Sequence, residues 1–214
     1  MLVRKWMTPN PVTVRATDPI SEAIHKMKEH DIRHLPVMDE GRLVGIVSDR
    51  DLKEFSPSPA TALDVYEMHY ILSKARVADA MRKDPLRVAP DDTIEKAALL
   101  MHDNKIGCLP VVEADGKLVG ILTQEDVFEA LVRVTGARTD TTRLQMTIPD
   151  EPGSIKVVAD KVRAHGLKIR SILTTYEDVP PGKRELILRV EGDTLALERE
   201  LKEDYPDLMV HRGC

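Results

Sequence analysis

The sequence predicts a mixed α/β (α+β) chain in two parts: a pseudo-twofold pair of β-α-β-β-α repeats, then a smaller β-α-β-β-α-β domain. The first observation behind this is a duplication. Gly45-Ile46-Val47-Ser48-Asp49-Arg50-Asp51 returns as Gly120-Ile121-Leu122-Thr123-Gln124-Glu125-Asp126, and Ile32-Arg33-His34-Leu35-Pro36-Val37 returns as Ile106-Gly107-Cys108-Leu109-Pro110-Val111. Met7-Thr8-Pro9-Asn10-Pro11 likewise matches Met81-Arg82-Lys83-Asp84-Pro85. Two copies at a near-constant offset mean a paired domain, not a solenoid. The second observation is that each copy carries the same turn and cap signals in the same order. The third is a change of pattern beyond about residue 140.

Each copy opens on a short strand, expected at 11–15 and 85–89. In the first copy Asp18-Pro19 supplies an N-cap and a proline at the first helical position, and Ile20, Ala23, Ile24 and Met27 make one apolar helix face. In the second, Asp92 and Glu95 are spaced as a capping box, with Ile94, Ala97, Ala98 and Met101 as the face. Two strands follow, joined by Asp39-Glu40-Gly41-Arg42 in one copy and by Ala114-Asp115-Gly116-Lys117 in the other. A turn glycine between β-branched runs signals a hairpin. A closing helix ends each copy, clearest at 124–134.

Residues 53–76 connect the copies. Ser56-Pro57-Ser58-Pro59 reads as a break, and 60–74 has helical spacing that suits either packing on its own domain or self-association. After a linker at 135–140, residues 143–148 alternate like a strand. Asp150-Glu151-Pro152-Gly153-Ser154 turns into a helix at 155–165, capped by Gly166. Strands at 167–176 and 185–190, a helix at 194–204 and a last strand at 208–211 complete the ferredoxin-like order. The expected domains are 1–76 (first repeat with its connecting helix), 77–138 (second repeat) and 142–214.

Bulk composition excludes several classes of function. Of the 214 residues 42% are hydrophobic and 31% charged, the balance of a folded globular chain. A net charge of −5 leaves no broad basic footprint for nucleic acid or an anionic membrane, and 3% aromatics provide no stacking platform for single strands. Met1-Leu2-Val3-Arg4-Lys5-Trp6 reads as neither signal peptide nor anchor. Cys108 and Cys214 lie far apart in no metal or redox spacing, so a reducing cytoplasm is expected. His25, His30 and His34 lack acidic partners at ligand spacing, so no metal is expected. Cys108 reads as a small core residue, and Lys161, Arg163, Lys183 and Arg184 as solvated charges. With no nucleophile, base and orienter in one constellation, the chain is expected not to be an enzyme.

The twin pairs Ser48/Asp51 and Thr123/Asp126 admit two readings. A hydroxyl followed three residues later by an acid is a capping box on the closing helix. A hydroxyl and a carboxylate where a strand meets a helix N-terminus can also hold a ligand: the carboxylate accepts ribose hydroxyls, and free backbone N–H groups suit phosphate.

With Leu-Pro-Val and Gly-x-x-[Ser/Thr]-x-x-Asp in both copies, residues 1–135 resemble a tandem pair of CBS domains (a Bateman module). That resemblance implies two clefts for AMP, ADP or ATP. In them Asp51 and Asp126 would grip ribose, Ser48 and Thr123 would assist at the ribose-phosphate, and 32–36 and 106–110 (with Ile32, Pro36, Ile106 and Pro110) would line adenine. Arg33, His34 and Arg50 can face phosphate in the first copy, where the second has Gly107, Cys108 and Glu125. Arg87 stands where the first copy has Thr13, and Arg82 where it has Thr8. The two sites are therefore expected to be unequal.

The C-terminal part resembles an ACT domain through its Asp-x-Pro-Gly turn. This implies pairing through sheets and, as one reading, an amino acid or small metabolite held near Asp150, Gly153 and Ser154; the other is a dimerising unit without a ligand. The CBS-then-ACT order resembles AcuB-like acetoin-utilisation proteins. Together these imply a cytoplasmic, homodimeric regulator that senses adenine nucleotide, with an unnamed regulated protein and no nucleic-acid or membrane partner. The alternatives are a regulatory subunit of an enzyme whose catalytic part lies on another chain, and a structural dimeriser with empty clefts.

Overall fold

The computed structural model describes residues 1–55 and 74–213. The expected break at 56–59 and most of the helix at 60–74 fall outside the described residues, as does Cys214. The chain divides into two compact units, Met1–Phe128 and Glu129–Cys214. Among the described residues no helix is long and apolar enough to cross a membrane.

The first unit opens with a 3₁₀ turn, Val3–Lys5, and strand β1 (Thr8–Pro9). Strand β2 (Val14–Arg15), helix α1 (Ile20–Glu29), the hairpin β3 (His34–Asp39) and β4 (Arg42–Ser48), and helix α2 (Asp49–Phe55) complete the first copy. The second runs through α3 (Val77–Ala80), β5 (Arg82–Lys83), α4 (Ile94–Asn104), β6 (Cys108–Val112), β7 (Leu118–Thr123) and α5 (Gln124–Thr135). Helix α5 continues from the first unit into the second.

The expected opening strands are shorter than the periodicity suggests. The first is two residues, paired in parallel with β3, and the second is a single bridge between Val88 and Val111. In both, only the valine turns into the core, with Val14 1% and Val88 2% exposed. The caps also differ from expectation. Helix α1 begins after Pro19 with no side-chain cap, because Asp18 instead accepts from the Arg15 backbone and guanidinium. In α4 the cap is Thr93, whose hydroxyl accepts from Lys96 N at 3.2 Å, while Asp92 closes the preceding turn on Ala89 N. The hairpin of the first copy is a two-residue turn with Glu40 at φ 45° and Gly41 at φ 80°, the left-handed pair that matches strand twist.

The copies exchange their leading segments. Strand β1 of the first copy pairs antiparallel with β7 of the second (Thr8 with Ile121, Pro9 with Gly120). Strand β5 of the second pairs with β4 of the first (Ile46 with Arg82, Gly45 with Lys83). The sheets are therefore β2-β3-β4-β5 and β1-β7-β6. The segments just before these strands cross as well. Val3 N donates to Asp92 O at 2.8 Å and Ile94 N to Met1 O at 2.8 Å; in mirror fashion Val77 N donates to Asp18 O at 2.9 Å and Ile20 N to Ala75 O at 3.0 Å. Val3 and Val77 are both fully buried, and Val77 packs in the first copy's core with Ile20, Leu35 and Val47.

Methionine and glycine make the exchange fit. A Cβ built on Gly120 would lie 2.5 Å from Met7 Sδ and 3.1 Å from Thr8 O; one on Gly45 would lie 2.6 Å from Met81 Sδ and 3.0 Å from Arg82 O. Both glycines are thus needed for close approach of the other copy's strand.

The second unit contains β8 (Thr142–Pro149), α6 (Ser154–Ala164), β9 (Lys168–Thr175), β10 (Lys183–Glu191), α7 (Leu195–Asp204) and β11 (Met209–Arg212). This is the expected β-α-β-β-α-β order, and the antiparallel sheet runs β11-β8-β10-β9. Leu144, Met146 and Ile148 on β8 alternate inward onto Val158, Val162, Leu197 and Leu201 of the two helices. Two charges expected to be solvated are not. Lys161, with its side chain 23% exposed, pairs with Glu200 and Asp204, which raises its pKa, and Arg184 is 15% exposed beside Asp150. Both sit where a helix or turn crosses a neighbour, a long-range arrangement that local charge patterning does not reveal.

Candidate functional site

Strand exchange leaves two pseudo-equivalent clefts in the first unit, each closed by residues of both copies. One, of about 470 Å³, holds Ser48 and Asp51 at the end of β4. The other, of about 480 Å³, holds Thr123 and Asp126 at the end of β7.

In both, the motif is a realised cap. Asp51 Oδ2 accepts from Ser48 N (2.9 Å) and Ser48 Oγ (2.6 Å), and Ser48 Oγ accepts from Asp51 N (3.2 Å). Asp126 Oδ2 accepts from Thr123 N and Oγ1 (both 2.7 Å), and Thr123 Oγ1 accepts from Asp126 N (3.3 Å). The cap and ligand readings are therefore compatible, because the cap uses one carboxylate oxygen and leaves Oδ1 for another donor.

The copies differ at that second oxygen. Asp51 Oδ1 accepts from Arg82 Nε at 3.1 Å, and its side chain is 10% exposed. Burial alone would raise the Asp51 pKa; the Ser48 hydroxyl and amide and the Arg82 guanidinium outweigh it and hold the carboxyl below its ordinary value. Thr8 stands at the position matching Arg82, and among the described residues Asp126 Oδ1 has no protein donor.

The clefts are crossed in their membership. Arg33, His34, Arg50 and Ile106 line the Asp51 cleft, while Ile32, Arg33 and His34 line the Asp126 cleft. Sequence reasoning did not place Arg82, Lys83 and Lys105 beside Asp51, nor Thr8, Asn10 and Asp31 beside Asp126. The matched Met7 and Met81 were the available signal, since each leads the exchanged strand. Four other candidates lie off the lining. Pro36 and Pro110 are buried within β3 and β6. The carbonyl of Thr13 accepts from Lys26 Nζ at 3.0 Å, and Arg87 is exposed.

His34 lies between the clefts and lines both; a Cβ on Gly107 would come within 3.3 Å of its Nε2. Burial pushes its pKa below the ordinary 6.5, against the pull of Asp49, Asp51 and Glu125 and with the help of Arg33. Protonation thus favours the unfolded chain. Above pH 6.5 the ring is neutral in both states, and stability is lost as pH falls from there through the folded pKa. The melting temperature of the wild type should fall further between pH 7.5 and 5.5 than that of His34→Gln, and equal falls would reject this assignment.

Cys108 is buried, and its thiol is pushed up to about 12 by burial, with the Asp51 charge adding to it. At 7% exposure it is the small core residue the sequence suggested, and it also borders the Asp51 cleft. Among the described residues no group of three or more histidine, cysteine, aspartate or glutamate side chains could hold a metal ion.

In the second unit, Gly153 at φ 92° precedes α6, and Arg184 reaches from β10 to donate to Ser154 Oγ at 3.0 Å, with Asp150 Oδ1 at 3.5 Å from its Nε. Its buried Nε has no hydrogen-bond partner among the described residues.

Comparison with known proteins agrees with this architecture. The CBS domain family matches residues 3–58 and 77–133. The chain is similar to the solved structure of CBSX2 in complex with AMP, a protein of Arabidopsis thaliana, with 32% identity, a TM-score of 0.54 and coverage of 62% of this chain and 97% of that one. It is similar to the CBS domain pair of protein MJ0100 in complex with 5′-methylthioadenosine and S-adenosyl-L-methionine (26% identity, TM-score 0.51, 61% and 95% covered). A Vibrio cholerae protein whose name connects it with acetoin utilization (AcuB) is similar at 34% identity, with a TM-score of 0.51 and 62% and 90% covered. The family match spans more than half of the sequence and coincides with the duplicated fold, so the chain belongs to the CBS domain family and carries a tandem pair of its domains.

Proposed function

We propose that the chain is a non-catalytic regulatory protein whose two clefts bind adenosyl ligands of the AMP, ADP or ATP type. The observation that carries this reading is the repeated capped carboxylate. Asp51 and Asp126 each spend Oδ2 on a helix cap, keep Oδ1 outside that cap and line a cleft of nucleoside size. The AMP named with CBSX2 and the adenosyl ligands named with MJ0100 support it. In this reading Asp51 and Asp126 grip ribose, Ser48 and Thr123 hold those carboxylates in position, Ile32 and Ile106 border the base, and Arg33, His34 and Arg50 face phosphate.

Regulation then follows from the crossed strands. A ligand touching both copies stabilises one packing of the pair over another, and a partner protein sensitive to that packing reads the difference. In this reading the chain would divide into domains at 1–76, 77–138 and 142–214. The last part would be an ACT domain, supported by its element order and the left-handed Gly153 at the Asp-Glu-Pro-Gly turn. It would pair chains into a homodimer and take a small metabolite carboxylate near Asp150, Gly153 and Ser154, with Arg184 as counter-charge. The similar Vibrio cholerae protein supports a link to acetoin metabolism, and the buried free thiol of Cys108 supports a cytoplasmic setting.

A thermal-shift titration with AMP, ADP and ATP tests the central reading. At 100 times its Kd a ligand adds about 2.7 kcal/mol of stability, so the unfolding midpoint of the first unit should rise by several degrees. No rise with any adenosyl compound would sink the reading.

A further inference from the structure

The two clefts keep the same carboxylate and hydroxyl but oppose each other in charge. Among the described residues, Arg33, Arg50, Arg82, Lys83 and Lys105 line the Asp51 cleft, against the carboxylates Asp49 and Asp51. The Asp126 cleft has Arg33 as its one cation among the described lining residues, against Asp31, Glu125 and Asp126.

The reversal falls at matched positions. Arg50 corresponds to Glu125, Arg82 and Lys83 to Thr8 and Pro9, and Lys105 to Asp31. The last pair is equivalent in backbone as well as in sequence, with Lys105 at φ 53° and Asp31 at φ 51°, each just before the isoleucine that lines a cleft. Among the described lining residues the Asp51 cleft therefore carries an excess of cations and the Asp126 cleft an excess of carboxylates, although both contain the same capping motif.

We propose that the clefts sort adenosyl ligands by charge: the Asp51 cleft takes nucleotides with a phosphate tail, and the Asp126 cleft takes an adenosyl compound without phosphate, neutral or cationic at its 5′ substituent. This rests on the adenosyl reading above and deepens it. A polyphosphate tail beside Glu125 and Asp31 would meet like charge at short range, whereas a sulfonium or thioether group would not. In the other cleft the same tail meets cations projected from both copies, so phosphate binding also draws β5 onto β4. Arg33 lines both clefts, and a phosphate that engages it on the Asp51 side removes the one cation available to the Asp126 side, which reinforces the sorting.

The experiment is calorimetric titration of the full chain with ATP and with S-adenosylmethionine, using the charge-reversal variants Arg50→Glu and Glu125→Arg. Both positions are exposed, and an unchanged melting temperature shows that each variant is folded. Wild type should take one equivalent of each ligand without competition. Arg50→Glu should weaken ATP by at least about tenfold, since each charge near 4 Å contributes roughly fivefold, and leave S-adenosylmethionine within about twofold. Glu125→Arg should weaken S-adenosylmethionine and open a second ATP site. Rising salt should weaken ATP more than S-adenosylmethionine.

Direct competition of the two ligands for one site, or equal weakening of both by either variant, would overturn the sorting while leaving adenosyl binding intact. Failure of wild type to bind either ligand would instead overturn the adenosyl reading on which it rests.

Discussion

Deletion of residues 1–9 is expected to abolish cooperative unfolding of the first unit, although the removed segment precedes every residue of the first copy's core. The segment belongs to the second copy. It places fully buried Val3 there, donates from Val3 N and Arg4 N to Asp92 O and Pro90 O, accepts at Met1 O from Ile94 N, and supplies β1 as the neighbour of β7. Burial of a valine contributes about 1.5–3 kcal/mol and each net backbone hydrogen bond about 1 kcal/mol. Their loss approaches the whole stability of a domain, about 5–15 kcal/mol. Circular-dichroism melts of the truncated and full chains, with hydrogen exchange on β6 and β7, provide the check. A truncated chain with an unchanged midpoint would show that the exchange contributes little.

The second large effect lies at the glycines facing the exchanged strands. Gly120→Ala and Gly45→Ala should each destabilise by about 1–3 kcal/mol, the usual cost of forcing extra volume into a packed site. Outside such a contact the same change at a strand glycine would be neutral or stabilising. The identity of the colliding atom makes the prediction sharper. Most of the strain at position 120 falls on Met7 Sδ, so Met7→Ala should rescue Gly120→Ala, and the double mutant should be more stable than the sum of the two single losses. Rescue should be partial, because Thr8 O remains at 3.1 Å. Additive losses in denaturant titrations would reject the contact.

The duplication, the hairpins, the closing helices and the order of the second unit were legible because each is written in local signals: a turn glycine, an apolar face or an alternating strand. The caps expected at Asp18 and Asp92 each fall one residue later, at Pro19 and Thr93, since aspartate serves a turn as readily as a helix and only geometry decides between them. The strand exchange was hidden for a different reason. Thr8–Pro9 and Arg82–Lys83 are two-residue strands with no periodicity to read, and their partners lie far away in sequence. Because the exchange sets the membership of each cleft, the motif residues Ser48, Asp51, Thr123 and Asp126 could be picked out as candidates, whereas Lys83 and Lys105 could not, and Arg82 could be noticed but not assigned to a cleft. Charge differences between the copies were visible from the start; which cleft received which charges was not.

The crossed segments also order events during synthesis. Thr8–Pro9 is synthesised more than a hundred residues before β7, its partner, is complete at Thr123. The first copy likewise waits for Val77 to fill its core and for Arg82–Lys83 to flank β4. A nascent chain carrying only one copy presents an unfilled core and an open sheet edge, so the pair must close late and together. Gene duplication here produced one folding event with two halves.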